Sequence, residues 1–150
     1  MIELISKFQS EISLFSNDLD KFPADKRPVK LFDEWRLNDL VAHLSGWYNY
    51  QLQTLSAFSS HHPMSGQVDV QTKNEESVKE RQKKAWEEIY TEWKTSAAQL
   101  ITAYTQIPET DLSLSVFSDR QKTPAELLQI EIKHLEKTHR PQVEKVLNNL

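Results

Sequence analysis

Residues 38–58 read Asn-Asp-Leu-Val-Ala-His-Leu-Ser-Gly-Trp-Tyr-Asn-Tyr-Gln-Leu-Gln-Thr-Leu-Ser-Ala-Phe. Leu40, Val41, Leu44, Trp47, Tyr48, Leu52, Leu55 and Phe58 recur at spacings of three and four, the period of a helix with one apolar face. The spacing predicts a helix from about Asn38 to Phe58. One imidazole, His43, stands at the edge of that face, on the side of Trp47 and Tyr50. Gly46 sits inside the helix, where it costs about 1 kcal/mol against alanine. It therefore serves either close helix packing or room for a ligand beside His43.

The same period recurs along the chain. Leu4, Ile5, Phe8, Ile12, Phe15 and Leu19 mark a first helix over 2–20. Asp20–Pro28 reads as a connection, because its two prolines break helix and ladder alike. Ser59–Gln71 is polar and is the longest loop candidate. Thr72-Lys-Asn-Glu75 is a capping box opening a third helix to about Gln106, where Pro108 stops it. Residues 109–122 read as irregular, with Leu112–Phe117 alternating like a short extended piece. Thr123-Pro-Ala-Glu126 caps a fourth helix, with Pro124 at the position where its missing amide is harmless. Pro141 should kink or restart that helix before Val143, Val146 and Leu147. Four amphipathic helices in one domain over residues 1–150 pack most simply as an all-α four-helix bundle.

Composition narrows the function. There are no cysteines, which removes disulfides, thiolate metal sites and cysteine nucleophiles. The net charge is −4, and acidic and basic side chains are interspersed, which argues against nucleic acid as a partner. The one dense basic run, Lys79-Glu-Arg-Gln-Lys-Lys84, reads as a solvated helix face. No signal-peptide pattern and no apolar run of membrane-spanning length occur, so the expectation is a cytoplasmic protein without membrane contact. With only two glycines, at 46 and 66, no phosphate-cradling loop and no nucleophile elbow are present.

The five histidines carry the remaining chemistry. On the fourth helix Leu128, Ile132, Leu135, His139 and Val146 form one stripe, which places His139 inward beside Gln142. His134 falls roughly 140° away on an ideal helix, near Lys133 and Lys137. His43 and His139 can thus share a site across the bundle, or each can be a hydrogen-bonded core residue. His61 and His62 read as loop residues. Trp35, Trp47, Trp86 and Trp93 read as core or half-core. Trp47 and Trp93 are the two placed near a pocket, because an indole adds one donor to an apolar wall.

Trp35-Arg-Leu-Asn-Asp39-Leu-Val-Ala-His43-Leu-Ser-Gly46-Trp47 resembles the second-helix signature of the DinB/YfiT-like four-helix bundles: a Trp, then an Asp, then Ala-His-Leu with a following Trp. Asn74 at the start of the third helix and His139-Arg-Pro-Gln142-Val in the fourth are similar to that family too. Within it, the nearest resemblance is to the ClbS/DfsB branch of small bacterial bundle proteins. The resemblance implies a long crossover between the second and third helices, at 59–71, and a cytoplasmic bacterial protein that is often a homodimer. It also implies a divalent metal, commonly zinc or nickel, held by one second-helix histidine and a His-x-x-x-His pair from the fourth. His43 and His139 match the first and last of these. Leu135 stands at the middle position, which is a departure. His134 is one residue off and turned about 100° away, so it or Glu131 could substitute only in a distorted helix.

Two functions follow. One is a small-molecule pocket between the second and fourth helices, lined by Trp47, Tyr50, Trp93, Glu131 and Gln142. There a metal on His43, His139 and His134, or the histidines alone, would assist a hydrolase or thiol transferase acting on a small electrophile. The other is a non-catalytic ligand-binding or dimeric bundle, without metal, whose histidines are polar core.

Overall fold

The computed structural model describes all residues 1–150. Its helices are α1 (Ile2–Lys21), α2 (Leu37–Ser59), α3 (Val70–Arg81), α4 (Trp86–Thr105), α5 (Pro124–Lys133) and α6 (Arg140–Leu147). A π-helical turn, His134–His139, joins α5 to α6, so these three form the expected fourth helix. The fold is all-α, as the periodicity predicts. No helix is long and apolar enough to cross a membrane.

α2 is central. It packs along α3 and α4, while α1 packs along α4, α5 and α6. Every residue from Asp39 to Gly46 is buried, which explains why polar Ser45 and His43 interrupt its apolar face. A helix enclosed on all sides has no solvent face to mark. Phe8 and Phe15 of α1, Tyr48 of α2 and Trp93 of α4 make the aromatic centre of the core, with ring centroids 5.3 to 6.3 Å apart. The α2 C-terminus closes on His61, whose φ of 59° is left-handed. His61 N–H reaches Phe58 O and His62 N–H reaches Ala57 O, the pattern of a Schellman motif. Both histidines are exposed chain-reversal residues.

Four expectations need correction. The third helix is two helices, α3 and α4, broken over residues 82–85. Its start is also shifted, with Asp69, not Thr72, as N-cap, accepting from the Thr72 N–H at 2.8 Å. The break permits a contact that a straight helix forbids. Arg81 Nη2 donates to Glu92 Oε1 at 2.8 Å, yet residues eleven apart lie about 16 Å apart on a straight helix. The basic run is consequently not a uniformly solvated face. Arg81 is turned inward, bonding Glu92 and the Ser77 carbonyl, and Asn49 of α2 donates to the same carboxylate. Finally, Leu112–Phe117 makes no strand. Phe117 forms an isolated bridge to Met64.

That bridge clasps the loop over residues 60–69 to the one over 112–123. Asp119 Oδ1 accepts the Gly66 N–H at 2.7 Å, and Ser65 donates to Asp119 Oδ2. A Cβ on Gly66 would lie 2.8 Å from Phe117, so only glycine permits this approach. The clasped loops form a rim beside α2, α3 and α5.

Candidate functional site

Inside the rim lies a cavity of about 790 Å³ between α2, α3 and the α5–α6 rod. It is large enough to enclose an ordinary small-molecule ligand. Its outer wall carries Arg120 and Lys122, and Trp35, Trp47 and Tyr50 supply aromatic surface.

The α2 wall follows from the local sequence. Asp39 is the third residue of the helix, and its Oδ2 accepts the Arg36 backbone N–H at 2.9 Å and Arg36 Nε at 3.1 Å. The signature carboxylate therefore caps the helix, where it also complements the positive helix end. Trp35 lies against His43, with ring centroids 5.0 Å apart. Trp47 Nε1 donates to Asn74 Oδ1 of α3 at 2.6 Å. Trp47 meets Tyr50 edge-on.

The opposite wall depends on the π turn. Pro141 has no N–H for the carbonyl four residues back and crowds it, which favours the wider turn just upstream. In that turn residues five apart come close to one side. His134 and His139 therefore have ring centroids 5.8 Å apart, not the far-side placement of an ideal helix. His43 meets His139 across the cavity at 5.2 Å. Leu135 is fully buried in the core instead. The structure thus brings His43, His134, His139, Trp47, Tyr50, Glu131 and Gln142 to one cavity. It does not bring Trp93 there. That indole is wholly buried among Phe15, Tyr48 and Tyr90, because α4 lies on the side of α2 away from the cavity wall. Trp35, read only as core or half-core, lines the cavity in its place.

His139 Nδ1 donates to Gln142 Oε1 at 3.0 Å. The amide oxygen only accepts, so the Nε2 lone pair is left free. His43 Nδ1 is buried with no hydrogen-bond partner. Burial pushes His43 down to about 3, helped by the neighbouring His139 and His134, and His139 down to about 4. His134 is lowered by burial as well. All three are neutral near pH 7. Neutral imidazole is the form that accepts a proton or ligates a metal. Even so, no three His, Asp or Glu side chains stand together as a ligand set. Two imidazoles fall short of the three protein ligands a catalytic zinc normally takes.

A family model describing the mycothiol maleylpyruvate isomerase N-terminal domain matches residues 11–130. The chain belongs to that family. The mycothiol maleylpyruvate isomerase N-terminal family is a DinB-like helical-bundle family, in keeping with the helices seen here. The match includes His43, Trp47 and Tyr50 and ends before Glu131, His134, His139 and Gln142. No curated protein and no solved structure matches the chain.

The site makes acid stability unusual. Unfolded histidines take up protons near pH 6.5, but His43 and His139 resist until about 3 and 4. The unfolded chain thus binds more protons in between, and stability falls as pH drops below 6.5. Glu131 opposes this. Its folded value of about 7 exceeds the ordinary 4.5, so it contributes stability that is full below 4.5 and lost as pH rises toward 7. From these three groups, urea unfolding should show a net loss of about 2 kcal/mol between pH 7 and pH 5. The His43→Gln/His139→Gln variant should instead gain about 2 kcal/mol over that interval. Parallel curves for both proteins would refute the neutral buried pair.

Proposed function

We propose that the chain is a small-molecule-processing member of its family, akin to the ClbS/DfsB branch it resembles. In this reading His43 and His139 orient water or a small thiol against an electrophile held between α2 and the α5–α6 rod. The observation that carries the reading is the His43–His139 pair: two neutral imidazoles 5.2 Å apart, from separate helices, on the wall of a ligand-sized cavity. A free Nε2 on His139 is the acceptor for the nucleophile's proton. The donor set does not make a three-ligand metal centre, so the two imidazoles themselves carry the step. A specific observation favours the ligand-binding alternative: proton acceptors near 3 and 4 are weak bases at pH 7 until negative charge develops beside them.

The test is consumption of a panel of an activated ester, an epoxide and an enone, with water or glutathione as nucleophile, followed by mass spectrometry. Wild type should exceed buffer on at least one member, and His43→Gln and His139→Gln should each lose about 100-fold in rate with their fold intact. Turnover unchanged in either variant would remove the histidine pair from the reaction, and turnover absent from the wild type throughout would replace the enzyme by a binding bundle. Elemental analysis of untagged protein after incubation with zinc or nickel runs alongside. One retained equivalent, lost in His139→Gln, would replace the metal-free pair by a metal.

A further inference from the structure

Glu131 on α5 is 7 % exposed and lines the cavity. Its Oε1 accepts from Gln51 Nε2 of α2 at 3.0 Å, and Gln51 Oε1 accepts from the Tyr104 hydroxyl of α4 at 2.8 Å. The direction of this chain is fixed. Turning the Gln51 amide over would leave the single hydrogen of Tyr104 without an acceptor. Glu131 Oε1 is therefore committed as an acceptor.

Glu131 Oε2 makes no hydrogen bond to the protein, and it is not among the sealed, unpartnered atoms. It opens on the cavity. No lysine or arginine is paired with this carboxyl. The ionisable groups beside it are the phenols Tyr48 of α2 and Tyr104 of α4, both held neutral by burial. The three imidazoles lie elsewhere on the same cavity wall, and Arg120 and Lys122 belong to its rim.

We propose that Glu131 presents its Oε2 hydroxyl to the cavity as a hydrogen-bond donor that holds and polarises a carbonyl oxygen of the bound small molecule, with Gln51 and Tyr104 as positioning residues. The occupant is then a neutral carbonyl compound. This rests on the small-molecule reading above and names its ligand class. Burial raises the carboxyl to about 7, the Gln51 bond opposing it in part, so the hydroxyl is available from neutral pH downward. Electron density drawn toward Oε2 leaves the carbonyl carbon more open to a nucleophile, and no proton needs to leave Glu131 for this.

The probe is carbonyl-13C-labelled acetophenone, titrated into wild type, Glu131→Gln and Glu131→Leu at pH 6 and pH 8. Wild type should bind it with a downfield carbonyl shift at pH 6 and lose about 10-fold in affinity at pH 8, where a carboxylate faces the oxygen. Glu131→Gln keeps a donor and should bind alike at both pH values. Glu131→Leu should bind about 10-fold more weakly at pH 6, without the shift. Infrared difference spectra of the unliganded protein should show one protonated-carboxyl band at pH 6 that Glu131→Gln lacks. Equal binding by wild type and Glu131→Leu, no binding by wild type, or absence of that band would each overturn the proposal. These readouts are affinity and spectra, so they stand apart from the rates that judge the histidine pair.

Discussion

Trp93→Ala should lower stability by about 3–5 kcal/mol while leaving acetophenone affinity unchanged. The indole is wholly buried in the aromatic centre, 5.3 Å from Phe15 and 6.3 Å from Tyr48 between ring centroids. Three elements meet on it, so truncation opens a void that α1, α2 and α4 cannot close together. Its Nε1 has no hydrogen-bond partner, so Trp93→Phe forfeits ring volume but no polar bond and should cost clearly less. Urea denaturation gives both numbers. A cost under about 1 kcal/mol for the alanine variant, or a fall in ligand affinity with it, would return Trp93 to the cavity wall.

Gly46→Ala is the second large effect, about 2–3 kcal/mol of destabilisation, against alanine's helix advantage of about 1 kcal/mol. A Cβ at this position would stand 1.9 Å from Ser77 Oγ and 2.3 Å from Ser77 Cβ. The hydroxyl can rotate, although it then gives up its bond to the Lys73 carbonyl. The Ser77 Cβ is fixed to α3 and cannot move without it. Two helices must therefore separate, carrying Asn74 away from Trp47. Ser77→Gly makes room, so the double variant should be more stable than the two single costs predict, by about 1–2 kcal/mol. Simple additivity would mean that α3 does not rest on Gly46. Of the two sequence readings of this glycine, helix contact is the one the geometry supports.

The legible parts of the chain were those governed by neighbours in sequence. The α2 period, the Thr123–Glu126 cap and the inward face of His139 are all local, and each stands where the pattern placed it. Trp35 and Asp39 were recognisable as a pair, yet their tasks, lying against His43 and capping α2, required the folded helix start. The parts that were not legible depend on distant partners. Nothing between Gln82 and Ala85 is a glycine or proline, and the break there comes with a bond between Arg81 and Glu92 that no local period shows. Trp47 and Trp93 look alike on helical wheels, and only the placement of α4 separates them. Glu131 could be listed as a pocket residue, but its bond to Gln51, eighty positions earlier, is invisible to any local period.

The π turn amounts to one additional residue spliced into a helix without changing which way its ends face. Counting along the chain, His134 and His139 are five apart; counting by turns, they behave as neighbours on successive coils. An alignment that assumes a continuous α-helix will therefore register Leu135, not His134, against the first histidine of a four-spaced pair, and will score a substitution where the chain carries a shift. Removing one residue between them, at Lys137 for example, would restore the α period and leave both ends facing as they do. Arg140 would keep Glu11 of α1, and Val143 its place in the core. The extra residue thus changes the spacing of the histidines and spares the seating of the C-terminal helix.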